Sequence, residues 1–320
     1  MLILSDYTYH CPTAIADALV LLQEGGTLIA GGSDVMPQLK TAVVSPKALI
    51  DLNNITELKV LEEREDGIHI GSMVTLAHLA KSVLILSKVR AISEAARNVA
   101  SPQIRNRGTV GGNILQARRC IYYNQTKEWR QGIPACFKTG GDRCIQIANS
   151  SVCRAIYYSD MAPALLAYGA EAVVVTEQGE EKRSCQSVID AHTGDSKEQY
   201  IIKEFIIPRE EYTDVKAGFY KHSLRGGIDF PIINFAYSYR EKCVRLFMGA
   251  MSVNIVELTE TEKYLTERKK EFEVEEAYRI ALAEAKKKSQ LIHESGISVQ
   301  VKRGAASHLE QLLKELKKSI

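Results

Sequence analysis

The chain has 320 residues, of which 45% are hydrophobic and 25% charged, and its net charge is +2. This length allows two or three domains with sizeable cores, and a charge so close to balance argues against a nucleic-acid-binding protein. No apolar run is long enough to span a bilayer, and the first residues lack a secretory signal, so we expect a cytoplasmic protein outside the membrane. In a reducing cytoplasm, its seven cysteines are better candidates for metal ligands than for disulfides.

The N-terminal third of the chain predicts short helices and strands. Apolar residues at helical spacing predict a helix over 12–24, with Thr13 as its N-cap. Residues 27–40 predict a short buried strand, a Gly-Gly turn and the start of a helix. The other elements predicted here are strands over 48–55 and 67–75 and helices over 74–82 and 86–100, the last one ended by Ser101-Pro102.

The pattern changes after residue 117. From 118 to 154 no periodicity survives, and an irregular stretch of this length in a compact domain needs something that holds it. A helix over 159–170, with Ser159 or Asp160 as its N-cap, restores regular structure. The remaining predicted elements are strands over 170–179, 200–208, 216–224, 233–241 and 244–253 and helices over 259–270, 274–293 and 304–318.

These elements together predict an α+β fold. We expect mixed α/β domains over 1–55 and 56–212, the second carrying the irregular segment 118–157. A C-terminal antiparallel sheet with helices is expected over 213–320, where alternating strands precede the helical patterns.

Two glycine-rich stretches could bind a ligand. Residues 30–34 read AGGSD at a predicted strand-to-helix turn, and residues 108–113 read GTVGGN between two elements. Glycines let the backbone approach a ligand closely, and free amides there can hold a diphosphate. Each stretch alone is explained equally well by a plain tight turn, since neither has the spaced glycines of the dinucleotide fingerprint. Two of them suggest a ligand with two ends.

Four of the seven cysteines lie within the irregular segment, at Cys120, Cys136, Cys144 and Cys153. The residues from 118 to 154 also include seven basic and only two acidic side chains. Structural zinc usually takes cysteines in close pairs, which are missing here, whereas wide spacing is compatible with a cubane iron–sulfur cluster. Zinc and chance burial remain open alternatives. We expect the three isolated cysteines, Cys11, Cys185 and Cys243, to be packing residues.

The motifs occur in the order and spacing of a known family. AGGSD at 30–34, TVGGN at 109–113, SDMAPAL at 159–165 and FYKHS at 219–223 resemble the FAD-binding subunit of the molybdenum hydroxylase (xanthine dehydrogenase) family. Most of its members run almost directly from TVGGN to the Ser-Asp helix, so segment 118–157 is an insert. That insert resembles the one in β subunits of 4-hydroxybenzoyl-CoA reductases, in which four cysteines bind a [4Fe–4S] cluster, and RGGIDFP at 225–231 fits as well.

The resemblance implies which residues contact the cofactors. It places FAD on both glycine loops and the cluster on the four cysteines. Without the family, we would interpret Asp160 as a helix cap, Ile202 as core and Lys221 as a solvated surface lysine. The implied FAD contacts are Ile29, Ala30, Gly31, Gly32, Ser33, Asp34, Val35, Val99, Thr109, Gly111, Gly112, Asn113, Asp160, Ile202 and Lys221, and the implied cluster ligands are Cys120, Cys136, Cys144 and Cys153.

The resemblance also implies a function. It describes an electron-transfer subunit that relays electrons from a ferredoxin-type donor through [4Fe–4S] and FAD. They continue to a small [2Fe–2S] subunit and a large molybdopterin subunit, for reductive dehydroxylation of 4-hydroxybenzoyl-CoA in a dimer of heterotrimers. No residue of that last step is expected in this chain. One alternative is a subunit of a xanthine dehydrogenase or aldehyde oxidoreductase type that passes electrons outward to NAD or another acceptor. Another is a zinc-stapled scaffold without redox chemistry.

Overall fold

The computed structural model describes residues 6–240, 243–293 and 299–320. Its strands are β1 (Thr8–His10), β2 (Thr27–Ile29), β3 (Ala48–Asp51), β4 (Leu61–Glu63), β5 (Gly67–Gly71), β6 (Glu171–Thr176), β7 (Gly179–Ser184), β8 (Ile201–Pro208), β9 (Lys216–His222), β10 (Ile233–Arg240), β11 (Cys243–Gly249) and β12 (Val256–Glu257). Its α-helices are α1 (Ile15–Gln23), α2 (Val35–Lys40), α3 (Leu76–Lys81), α4 (Val83–Lys88), α5 (Arg90–Asn98), α6 (Pro102–Arg105), α7 (Val110–Ile114), α8 (Lys127–Gln131), α9 (Met161–Ala167), α10 (Cys185–Thr193), α11 (Thr259–Arg268), α12 (Val274–Lys288), α13 (Val299–Ala305) and α14 (Leu309–Ser319).

The N-terminal sheet is small and parallel, with strand order β1-β3-β2. Helix α1 packs on it because Ile15, Ala18 and Leu19 share one helical face and are buried. The same apolar cluster includes Ile50 of β3 and Ile201 of β8, so the core of this sheet continues into the next one.

The second sheet is antiparallel, with strand order β4-β5-β8-β6-β7. Its central strand β8 comes from far along the chain, and Ile202 of this strand is buried in the core that includes residues of α5 and α9. Helices α5 and α9 are packed against the third sheet, on the side facing this core. Every residue of α9 is buried, which explains why its sequence is apolar all round.

The third sheet is a C-terminal antiparallel sheet with strand order β12-β11-β10-β9. Successive side chains of β10 point to opposite faces of the sheet. Ala236 therefore lies in the core shared with α5 and α9, and Phe235 and Tyr237 lie in the core on the other face. Helices α11, α12 and α14 cover that opposite face. Three sheets flanked by helices confirm the predicted α+β class, while the division at residues 55 and 212 stays a prediction.

Several predicted details were wrong. The single helix over 86–100 is two helices, because Val89 leaves the helical region at φ −135° and is fully buried between them. Thr13 does not cap α1, whose N-cap is Ala14 without a side-chain hydrogen bond. The helix predicted over 274–293 already ends at Lys288. The helix predicted over 304–318 is two helices, α13 and α14. Strand β7 and helix α10 were not predicted; β7 is largely exposed, so it lacks an apolar alternation.

The isolated cysteines divide into two kinds. Cys185 is fully buried in the main core, where burial raises the pKa of its thiol to about 12. Cys11 and Cys243 are exposed, so the prediction that both are packing residues was wrong. Within the described ranges, no helix combines the length and the apolar character needed to cross a membrane.

One carboxyl in the C-terminal domain makes stability depend on pH. Burial raises the pKa of Glu262 on α11 to about 7, although its Oε1 accepts a 2.6 Å hydrogen bond from the Leu246 backbone N–H. The unfolded chain loses this proton near its ordinary value, and the folded chain keeps it to near neutrality. The contribution of Glu262 to stability is therefore full at acid pH and is lost as the pH rises through about 7.

We expect Glu262→Gln to remove this dependence. Glutamine keeps an acceptor for Leu246 but carries no proton to lose. From about pH 5 to pH 8, the variant should gain roughly 1–2 kcal/mol of unfolding free energy relative to the parent, allowing for the partial exposure of the side chain. Urea unfolding at several pH values measures this difference. A constant difference between parent and variant across that range would contradict the assignment.

Candidate functional site

The structure brings the two glycine loops together. Loop 1 (residues 30–34) joins β2 to α2, and loop 2 (residues 108–113) runs into α7. A Cβ on Gly31 would lie 1.8 Å from the carbonyl oxygen of Arg107, so only glycine allows the backbones to approach this closely. Gly32 has φ +73°, which side-chain-bearing residues rarely adopt. The strand-to-helix turn predicted for loop 1 is confirmed.

Hydrogen bonds from three sides hold loop 1. The side-chain amide of Asn53 donates to the Ala30 carbonyl at 3.0 Å. Asp34 Oδ2 accepts from the Ala117 backbone N–H and from the Gln38 side chain, both at 2.9 Å. Since Ala117 follows α7, the Asp34 carboxylate fastens loop 1 to the chain that leaves loop 2.

Loop 2 is held by its own side chains. Thr109 Oγ1 caps α7 by accepting the Gly112 N–H at 3.1 Å, and a Cβ on Gly111 would lie 2.8 Å from that of Ser72. Asn113 Oδ1 accepts from Ser159 Oγ at 2.6 Å and from Met161 N–H at 3.2 Å. Asn113 therefore connects loop 2 to the start of α9, where Asp160 lies.

A cleft of about 370 Å³ opens beside the two loops, a volume typical of small-molecule and cofactor sites. Val35 and Ile202 also line it, as do Arg118, Lys138 and Asp195. Of the predicted FAD contacts, those that line the cleft are Ala30, Gly31, Gly32, Ser33, Asp34, Val35, Thr109, Gly111, Gly112 and Ile202.

A buried arginine, Arg118, lines the cleft. Its side chain is only 3% exposed, and its Nε has no hydrogen-bond partner among the described residues. An unpaired buried donor is costly, and the Arg118 side chain to which it belongs lines the cleft. The close backbone approach at Gly31 and the buried Arg118 side chain beside it fit an extended anionic cofactor such as FAD.

Of the other predicted FAD contacts, Asp160 and Lys221 form a polar group beyond Asn113, whereas Ile29 is a buried apolar residue of β2. Lys221 Nζ donates to Asp160 Oδ2 and to the Asn98 carbonyl, both at 2.7 Å, and Val99 follows Asn98. Asn234 donates to Asp160 Oδ1 at 2.7 Å. Burial raises the pKa of the Asp160 carboxyl, and the Lys221 ammonium and Asn234 amide oppose that rise.

These contacts test the simple interpretations of Asp160 as a helix cap and of Lys221 as a surface lysine. The Lys221 side chain is 5% exposed, so it is not a solvated surface lysine. Asp160 occupies the N-cap position of α9 but makes no capping hydrogen bond with its side chain; Ser159 Oγ accepts from Ala162 N–H instead. The interpretation of Lys221 as a solvated surface lysine was wrong, the N-cap position of Asp160 is confirmed, and Ile202 is buried as core and also lines the cleft. The roles of all these residues in FAD binding stay predictions.

We expect Lys221→Met to lower the free energy of unfolding by about 3–5 kcal/mol, because it leaves the Asp160 carboxyl buried without a cation. Urea unfolding of flavin-free protein measures this loss without a contribution from cofactor binding. In an Asp160→Asn background the same substitution should cost much less, since no buried charge is stranded. Equal costs in both backgrounds would show that the two side chains are not coupled.

The two ends of the insert are hydrogen-bonded to each other. Backbone hydrogen bonds of 2.8 and 2.9 Å pair Arg119 with Ile156, so the chain leaves and returns at one point. Between them, only the short helix α8 and one 3₁₀ turn are regular. Arg130 donates to the carbonyls of Thr41 and Ala42, which fixes the insert to the N-terminal domain.

Its other side is fixed to the C-terminal domain. Gln146 exchanges two hydrogen bonds with the backbone of His293, at 2.7 and 2.8 Å, and Arg154 donates to Gln290 Oε1 at 2.6 Å. These contacts explain how an irregular segment is held in place. No periodicity is required for that, so sequence patterns could not predict them.

The four cysteines of the insert meet at one cavity. All four are half-buried, and two sulfurs accept hydrogen bonds: Cys120 Sγ from Gln146 at 3.3 Å and Cys136 Sγ from Thr139 at 3.6 Å. Lys138, Arg143 and Arg154 also line this cavity. The structure thus brings together the four cysteines that the sequence singled out.

The cavity as it stands does not hold a single metal ion. Among the described residues, no three side chains of His, Cys, Asp or Glu are grouped closely enough to ligate one. The space between the cysteines is about 20 Å³, roughly room for one water, so a cluster enters only if the side chains turn outward. The donor set of four thiols with basic neighbours fits a cubane cluster in chemistry, and the cluster itself stays a prediction.

Sequence reasoning missed three residues of the cleft. Arg118 donates to Asp195 Oδ2, and Lys138 Nζ lies 3.6 Å from Asp195 Oδ1. The basic doublet Arg118-Arg119, which follows α7, was a signal for Arg118. Asp195 follows α10, an element that was not predicted, so nothing in the local pattern pointed to it.

Glycine loops that share a cleft, with a buried cation beside them, define a protein built to hold an extended anionic cofactor. The model of the family "FAD binding domain in molybdopterin dehydrogenase" matches residues 5–210, more than half of the chain. The chain belongs to this family, which comprises flavin-binding parts of molybdenum hydroxylase-type oxidoreductases.

Curated relatives carry different functions. The carbon monoxide dehydrogenase medium chain of Hydrogenophaga pseudoflava is 37% identical over 111 residues, 34% of this chain and 39% of the relative. The nicotine 6-hydroxylase medium subunit of Paenarthrobacter nicotinovorans is 39% identical over 108 residues, 33% of this chain and 38% of the relative. The aldehyde oxidoreductase FAD-binding subunit of Escherichia coli K12 is 29% identical over 185 residues, 54% and 57% of the two chains. Each match spans less than two thirds of the relative's length.

Solved structures match over the full chain. Carbon monoxide dehydrogenase from Hydrogenophaga pseudoflava gives a TM-score of 0.74 at 20% identity, covering 99% of this chain and 98% of that one. Quinoline 2-oxidoreductase from Pseudomonas putida 86 gives 0.75 at 17% identity, with 99% and 98% covered. At these identities the likeness shows the fold alone, and it confirms the predicted fold class.

Proposed function

We propose that this chain is the flavin-binding, electron-transferring subunit of a molybdenum-containing reductase that dehydroxylates 4-hydroxybenzoyl-CoA. Its partners are a large molybdopterin-binding subunit, a small [2Fe–2S] subunit and a ferredoxin-type electron donor, in a dimer of heterotrimers. Membership of the FAD-binding family supports the class, and relatives named as medium chains or subunits support a multisubunit assembly. The observation that most supports the assignment as a reductase subunit is the cavity lined by four cysteines.

Four thiols suit a [4Fe–4S] cluster better than one zinc ion. The ligands of a cubane bind four separate irons at its corners and are therefore held further apart than the ligands of a single tetrahedral ion. Cys120, Cys136, Cys144 and Cys153 would be the ligands. Hydrogen bonds from Gln146 and Thr139 to two of the sulfurs would tune the potential of such a cluster, and the neighbouring cations would offset the negative thiolates.

The chain's own groups bind and orient FAD, which when bound accepts two electrons together and releases them one at a time. Loop 1 and loop 2 supply backbone amides where no Cβ intervenes. Arg118 supplies a buried donor. Asn113 ties loop 2 to the Asp160–Lys221 pair, which extends the candidate contact surface towards Val99.

The alternative is a subunit of a xanthine dehydrogenase or aldehyde oxidoreductase type that passes electrons outward to NAD. Relatives named for an aldehyde oxidoreductase and a putative xanthine dehydrogenase favour it. The insert opposes it, because direct exchange between flavin and NAD needs no cubane cluster.

Anaerobic purification of the chain with its partner subunits tests the proposal. We expect FAD, iron and sulfide to be present, with iron exceeding that of the [2Fe–2S] subunit by about four per chain. We also expect rapid oxidation of the reduced complex by 4-hydroxybenzoyl-CoA and slow flavin reduction by NADH. Rapid reduction by NADH, with no reaction of the aryl-CoA, favours the alternative. Stoichiometric zinc without extra iron contradicts the cluster.

A further inference from the structure

The cleft and the cysteine cavity share a wall. Tyr123 and Lys138 line both spaces, and Lys138 Nζ lies 5.2 Å from the centroid of the Tyr123 ring, within the range of a cation–π contact. Burial raises the pKa of the Tyr123 hydroxyl, which keeps this ring neutral. One layer of side chains therefore separates the two spaces.

Arg118 also belongs to this wall. Its Nη1 donates to the carbonyl of Cys153 at 3.3 Å, and the same side chain lines the cleft. A single side chain thus contacts the backbone of a cysteine on one side and lines the cleft on the other. Its Nε is buried and has no hydrogen-bond partner among the described residues.

The wall carries a net positive charge. Arg118 and Lys138 both pair with Asp195, so two cations share one carboxylate. Their side chains are 3% and 17% exposed, and buried charges are screened much less than surface charges. Negative groups on either side of the wall are attracted to the same cations.

We propose that Arg118 and Lys138 form a cationic partition that serves both sites at once. On the cleft side it holds an anionic group of the dinucleotide cofactor, and on the other it offsets the negative charge of the cysteine thiolates. This inference rests on the proposed function, because it needs FAD in the cleft and a cluster on the cysteines. The partition implies that the two sites are coupled, and linkage requires the coupling free energy to be the same whichever site changes first.

Lys138→Gln in the full-length chain tests the partition. We expect FAD to bind about tenfold more weakly, as for the loss of a charge-assisted hydrogen bond. The midpoint potential of the cluster, from an EPR-monitored titration, should become more negative, because a cation that favours the reduced cluster is gone. Lys138→Arg should restore both quantities, since charge rather than shape is decisive.

Arg143→Gln is the matched control. Arg143 lines the cysteine cavity but not the cleft, and its side chain is 67% exposed. We expect a smaller shift of the cluster potential and an FAD affinity within twofold of the parent. The partition is wrong if Lys138→Gln matches Arg143→Gln in FAD affinity, or weakens FAD without moving the cluster potential.

The outcomes separate this inference from the function on which it rests. A parent chain that contains FAD but neither iron nor sulfide overturns the proposed function, and the partition with it. A parent that contains both groups, with a Lys138→Gln variant that behaves like it, overturns the partition alone. Iron and flavin contents of each variant identify any loss that comes from misfolding.

Discussion

Replacing Gly31 by alanine should weaken FAD binding by roughly 10- to 100-fold. The new Cβ would lie 1.8 Å from the carbonyl oxygen of Arg107, which is backbone and cannot turn away. The two loops must then separate, at a cost of about 1–3 kcal/mol or more. Fluorescence titration of flavin-free protein measures the affinity, and a melting temperature within a few degrees of the parent verifies that the variant folds.

Gly304→Ala is the control for this substitution. A Cβ there would meet nothing within 4 Å, and the residue lies inside α13. Alanine in a helix is favoured over glycine by about 0.5–1 kcal/mol, so the control should be slightly more stable and bind FAD as the parent does. A parental FAD affinity for Gly31→Ala would remove loop 1 from the cofactor site.

Serine at Cys136 should abolish the iron–sulfur signal of the chain and leave most of the flavin bound. Cys136 lines the cysteine cavity and begins a tight turn in which its carbonyl accepts from the Thr139 and Gly141 N–H groups. Serine preserves that turn and removes only the sulfur ligand. Absorbance, EPR, and iron and sulfide assays under anaerobic conditions record the loss.

Cys243→Ser provides the comparison, since this thiol is exposed and lies outside the insert. We expect its iron and sulfide contents to equal those of the parent. Equal iron contents in the two serine variants would mean that the cavity holds no cluster. Loss of both flavin and iron in Cys136→Ser would instead mean that the insert supports the cleft structurally.

Local chemistry explains which site features could be predicted from sequence. Gly31 and Gly111 are visible because a close backbone approach needs glycine, and Gly32 is visible because its φ is positive. The four cysteines of the insert are visible because their density and basic surroundings depart from ordinary composition. Both kinds of signal lie in residue type and short spacing, so neither requires knowledge of the fold.

Partners distant in sequence could not be predicted in this way. Arg118 meets Asp195 77 residues away, and Asn234 meets Asp160 74 residues away. Such pairs exist only after three sheets and their helices have assembled. The same limit explains Lys221, whose position on a strand of alternating residues suggests solvent, while the structure buries its ammonium on Asp160.

The insert's two anchors impose an order on synthesis. Arg130 can reach Thr41 and Ala42 as soon as the insert is made, but Gln146 and Arg154 must wait for His293 and Gln290, close to the end of the chain. Because domains fold from the N-terminus during translation, the side of the insert bearing Cys144 and Cys153 stays undocked until the residues that follow α12 emerge. If the cavity holds the proposed cluster, we expect its iron and sulfide to be inserted before this side of the insert docks.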